Sequence, residues 1–148
     1  MKYKGSKLEE RGIEVVVIPR TNENLIFKLK PVNISNFDEI LPEPSKKMRI
    51  NSDGSKVLID NDKAIEEYAN KKLAYMLLQS LSATEDLVFE TVDIGNSDTW
   101  CNYKDEMLKS GLSELEIVKI VKGMISACGL DEDKIEIARK DFLAMKVS

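Results

Sequence analysis

The 148 residues include no histidine. That removes the side chain that ordinarily titrates near neutrality and the commonest nitrogen ligand for metals. Any acid–base chemistry would fall to carboxylates, tyrosines or cysteines. Cysteine is scarce too: Cys101 and Cys128 are too few for a disulfide framework and are expected as free thiols. No apolar run approaches the roughly 20 residues that span a bilayer. The opening stretch MKYKGSKLEERG is basic but has no apolar segment behind it, so no signal peptide is expected and a cytoplasmic setting is. The 7 glycines form neither a GxGxxG nor a Walker-type phosphate loop. Positive charge is not in excess: 22 Lys and Arg face 26 Asp and Glu, a net −4 that gives no support to a polyanionic partner.

What is present suits an ordinary core. The chain is 43% hydrophobic and 32% charged, enough apolar material for one domain of this length. Two strands are expected first, IEVVVIP over 13–19 and NLIFKLKPV over 24–32, joined by the turn-forming RTNEN. In the second, Phe27 and Leu29 alternate with Lys28 and Lys30, an apolar face backed by a basic one. A short turn carrying Phe37, Ile40 and Leu41 ends at Pro42 and Pro44. Residues 43–63 look like a charged loop turning at Asp53-Gly54, with KVLID a candidate short strand.

Helical spacing begins near Asp62, with Ile65, Ala69, Leu73, Met76 and Leu77 on one stripe widened by Tyr68, Tyr75 and Leu78. The stretch LVFETVDI is expected to be extended, after which Trp100, Tyr103, Met107 and Leu108 make a helical face ended by Gly111. Ser113 and Glu116 have the spacing of a capping box, followed by Ile117, Val118, Val121, Met124, Ile125 and Cys128. Gly129 stands where a helix closes in the left-handed conformation. Asp131 is placed to cap a last helix bearing Ile135, Ala138, Phe142 and Met145. The expected fold is α+β: a small antiparallel element in a β-rich region 1–61, then a helical domain of about four helices over 62–148.

Chemistry is thinly encoded. The acidic run Asp131–Glu136 lacks the central glycine and ligand offsets of a calcium loop. The last two helices suggest a helix-turn-helix regulator, but the final one carries acids at 131, 132, 133, 136 and 141 against bases at 134, 139 and 140, which opposes DNA. The sequence reads the pair as a packing unit instead. An enzyme is the other alternative, and it would need Asp60, Asp62 or Glu66 brought toward Cys101 or Tyr103. Trp100 has two readings, a core anchor or an interface hot spot.

Taken in order, "VVVIPR", "FKLKPV", "FDEILPEP", "ETVDIGNSDTWCNYKDEMLKSG" and "LDEDKIEIARKDFLA" resemble small proteins of tailed bacteriophages and prophages, over most of residues 13–144. The pattern is similar to tail assembly chaperones. That resemblance implies a non-enzymatic tail structural or assembly protein working by protein–protein contacts in the bacterial host cytoplasm. Its expected partner is a tape-measure or tail-tube protein, with no cofactor, no metal, no small-molecule substrate, no membrane and no nucleic acid. Under this reading the candidate interface residues are Lys28, Lys30, Trp100 and Tyr103.

Overall fold

The computed structural model describes residues 1–7, 12–129 and 132–147. The fold is α+β. Strands β1 (Lys2–Tyr3) and β2 (Ser6–Lys7), β3 (Glu14–Ile18) and β4 (Leu25–Leu29), and β5 (Lys47–Ile50) and β6 (Lys56–Ile59) make three separate two-stranded antiparallel pairs. Five helices are described: the single turn α1 (Phe37–Ile40), the long α2 (Asp62–Leu81), α3 (Asn102–Lys109), α4 (Glu114–Ala127) and α5 (Glu132–Val147). A 3-10 turn at Ser97–Thr99 leads into α3.

The chain divides into two compact units, each assembled from discontinuous segments. The first holds residues 1–32, 79–87 and 112–148; the second holds 33–78 and 88–111. This division differs from the contiguous 1–61 and 62–148 expected from the pattern of strands then helices. Segment 79–87, at the end of α2, is recruited by the hairpin through hydrogen bonds that hydrophobic period alone does not encode.

In the first unit β3 and β4 pair in the register Val16↔Phe27, with Glu14↔Leu29 and Ile18↔Leu25 on the same face. That face buries Ile18, Phe27 and Leu29 against α4, whose Ile117, Ile120, Met124 and Ala127 are buried. The helix comes very close: a Cβ on Gly123 would stand 2.6 Å from Val16 Cγ2 and 2.8 Å from Leu29 Cδ1. Only glycine fits there without a shift of those two side chains. The capping box forms as the spacing predicts, Glu116 N–H donating to Ser113 Oγ at 3.2 Å and Ser113 N–H to Glu116 Oε1 at 3.0 Å. Gly129 closes the helix at φ 77°. The buried face of α4 is rotated from the expected stripe, leaving Val118 and Ile125 exposed while Ile120 and Ala127 go inside.

Every described α5 side chain is exposed, so this helix adds no buried side chain among the described residues. The proposed Asp131 cap and the side chain of Met145 lie outside the described residues.

In the second unit an aromatic cluster forms the centre. Phe37 lies 5.8 Å from Tyr68, 5.4 Å from Tyr75 and 6.3 Å from Trp100, ring centre to ring centre, and Tyr75 and Trp100 are 4.9 Å apart. Within this unit's part of α2 the buried line runs through Ala74 and Leu77 rather than through Ile65 and Leu73, which stay exposed. LVFETVDI forms no strand. Its polar groups are taken up locally instead: Asn102 Nδ2 donates to the Thr91 carbonyl at 3.0 Å, Asp93 N–H to Thr99 Oγ1 at 2.9 Å, and Thr91 N–H to the Glu106 carboxylate. Residues 43–63, expected as loop, contain the β5–β6 hairpin, of which KVLI was the legible half. Its turn is fixed by Asp53, whose carboxylate accepts from the Ser55 amide and hydroxyl and is thereby held below its usual pKa.

Candidate protein-binding surface

Strands alternate their side chains, so burying Phe27 and Leu29 turns Lys28 outward, with Ile26 and Lys30 in the same phase. On β3 the residues opposite are Val15 and Val17, paired with Lys28 and Ile26. The outer face of the hairpin is therefore mixed rather than simply basic. Val15, Val17 and Ile26 are 54%, 50% and 54% exposed, and Ile13 continues the patch. Lys28 and Lys30, the lysines singled out from the sequence, are exposed beside them.

This face is held by three fastenings, two along the edge of β4 and one at the turn. Thr84 Oγ1 accepts from the Lys28 amide at 2.8 Å and donates to the Lys28 carbonyl at 2.9 Å, standing in for a neighbouring strand. Ser80 does the same for Lys30, its carbonyl accepting from the Lys30 amide at 3.1 Å and its hydroxyl donating to the Lys30 carbonyl at 2.8 Å. At the far end of the hairpin, Arg20 donates from both terminal nitrogens to Glu116, at 2.7 and 2.9 Å. Such a two-point contact fixes orientation as well as distance. It also pulls the Glu116 carboxyl down to about 2, chiefly through the Arg20 hydrogen bond, with the Ser113 amide adding to it. Beyond Thr84, an open depression of about 400 Å³ lies beside β4 at Ile26 and Phe27, with Glu23 and Asp86 on its rim.

The magnitudes say what the face can do alone. Fully covering a Val or Ile side chain contributes roughly 1.5–3 kcal/mol, so three half-exposed ones offer about 3 kcal/mol. Association costs about 4 kcal/mol or more. A partner held here must add polar or backbone contacts to the apolar ones.

The two aromatic candidates have a different fate. Trp100 is 1% exposed and Tyr103 9%. The Trp100 indole N–H donates to the Ile94 carbonyl at 3.0 Å, and its rings pack on Tyr75 and Phe37. Both belong to the core of the second unit, which corrects the expectation that they present an interface; a buried indole with a satisfied N–H has nothing left to offer a partner. Cys101 is exposed, but partial burial pushes its thiol up, with Lys71 opposing, which disfavours the reactive thiolate. Among the described residues no group of three Cys, Asp or Glu is arranged to hold a metal ion, and no helix is long and apolar enough to cross a membrane.

Val15 and Val17 were missed in the sequence because EVVVI is apolar on both faces and gives no sign of which faces solvent, whereas Ile26 shares the outward phase of Lys28 and Lys30. The available signal was arithmetic: a two-stranded sheet covered by one helix cannot bury both faces. Compared with known proteins, the chain matches no family model, no characterised protein and no solved structure.

Proposed function

We infer that this chain is a non-enzymatic protein-binding component that docks a partner on the outer face of the β3–β4 hairpin. The observation that carries the reading is the exposed Val15, Val17 and Ile26 set among Lys28 and Lys30 on a hairpin fastened by Thr84, Ser80 and the Arg20–Glu116 pair. An apolar centre with a charged rim is the composition expected of an interface, and a fastened backbone loses little entropy on binding. The resemblance to phage tail proteins supplies the setting: assembly of a phage tail, with a tape-measure or tail-tube protein as the partner.

The test is purification of the tagged chain from phage-producing cells, followed by mass spectrometry of what accompanies it, with wild type and Ile26→Asp in parallel. Recovery of a tail protein by wild type and its loss from a folded Ile26→Asp variant supports the reading. Equal recovery by both removes the hairpin face from the interface. Recovery of nucleic acid in place of a tail protein overturns the assembly role.

A further inference from the structure

The two edges of the β3–β4 hairpin are not alike. Because Lys28 spends both backbone groups on Thr84, Val15↔Lys28 is a pair without mutual hydrogen bonds. By alternation Val15 and Val17 both turn their N–H and C=O groups away from β4. Among the described residues no hydrogen bond reaches those groups, and both side chains are half exposed. Pro19, which has no N–H, ends this open edge. So Ser80 and Thr84 close β4 at Lys30 and Lys28 and leave it open at Ile26, while β3 keeps two donors and two acceptors in strand geometry facing outward.

Helix α4 sets the surroundings of that edge. Its Gly123 lies against Val16, and Ser126 Oγ donates to Glu14 Oε1 at 3.0 Å, so this side of the helix runs along β3. Lys119 and Lys122 lie one turn before Gly123 and Ser126 respectively, and both are exposed. A strand added beside β3 would therefore have unlike neighbours on its two faces. Its outward side chains would extend the Val15, Val17 and Ile26 surface; its inward ones would lie toward Lys119 and Lys122.

We propose that the open edge of β3 takes up an extended segment of a partner protein whose side chains alternate apolar and acidic. The period of a strand matches that alternation, one face meeting the valines and the other the α4 lysines. Backbone pairing at Val15 and Val17 supplies the polar contribution that the apolar face lacks for binding by itself. This rests on the protein-binding reading above and adds to it the mode of docking and the chemistry of the segment.

The test uses the full chain, labelled with ¹⁵N, and two end-capped octapeptides, one alternating valine and glutamate and one alternating valine and lysine. Amide exchange is followed residue by residue during titration. The expected result is slowed exchange at Val15 and Val17 with the valine–glutamate peptide alone, and about tenfold weaker binding by the Lys119→Glu/Lys122→Glu variant. Equal binding of both peptides, or no binding of either, overturns the proposal. Shifted signals from Val15, Val17 and Lys28 without slowed exchange overturn strand addition while leaving the hairpin face as a docking surface. Exchange already slow without peptide, and slower as protein concentration rises, would assign the edge to a second copy of this chain and overturn the proposal.

Discussion

Replacing Gly123 with alanine puts a methyl carbon 2.6 Å from Val16 Cγ2 and 2.8 Å from Leu29 Cδ1, distances that ordinary carbon contacts do not reach. Two effects then oppose each other. Alanine in a helix interior is favoured over glycine by about 1 kcal/mol. Overpacking a tight contact costs about 1–3 kcal/mol. Here the cost should win, because Leu29 is fully buried and Val16 is a β-branched residue with a stiff first torsion in a paired strand. The expected net loss is about 1–2 kcal/mol, a fall in Tm of roughly 2–8 °C for a chain of this size. Urea titration followed by far-ultraviolet circular dichroism would measure it. Val16→Ala in the same background should recover part of the loss by opening room for the methyl. A Gly123→Ala protein as stable as wild type, or more so, would refute the close approach of α4 to the hairpin on which the proposed surface depends.

Trp100 is the single tryptophan, so its fluorescence should be blue-shifted and weakly quenched by acrylamide in the native protein; Trp100→Ala should cost about 3–5 kcal/mol, and a solvent-like emission would contradict its burial. Ser113→Ala removes a capping side chain and should cost about 1 kcal/mol, read as a shifted urea midpoint at unchanged slope. Glu116 has a folded pKa of about 2, below the ordinary value of roughly 4.3 for glutamate. Its contribution is therefore complete above the ordinary value and is lost as pH falls toward 2. Glu116→Gln should flatten that acid limb of the stability curve, and an unchanged limb would count against the Arg20 contact. Thr84→Val removes the hydroxyl that serves Lys28 and should speed amide exchange at Lys28 while leaving Phe27 protected.

Those elements with one strong local signal were legible in the sequence. Phe27 and Leu29 alternating with Lys28 and Lys30 gave the second strand and its orientation; Ser113 with Glu116 gave the start of α4. Where two readings share a pattern, tertiary packing decided. Trp100 suits a core or an interface equally well by type, and only the Ile94 carbonyl and the Tyr75 ring settle it. LVFETVDI has the residues of a strand, yet Thr99, Asn102 and Glu106 offer its polar groups nearer partners than a ladder would. Half of the proposed surface, Lys28 and Lys30, could be read in advance. The valine half could not, because a strand apolar on both faces looks doubly buried until one knows that a single helix covers it. The open edge of β3 was out of reach of sequence, since it depends on Thr84 having occupied the edge of β4.

The central claim is that the outer face of the β3–β4 hairpin meets a partner protein. The most direct measurement places a photo-crosslinking amino acid at Val17, and in a separate protein at the exposed Glu67 of α2, and irradiates phage-producing cells. A crosslink from position 17 to one tail protein, absent from position 67, is the predicted result. No adduct at position 17, or the same adducts from both positions, would contradict it.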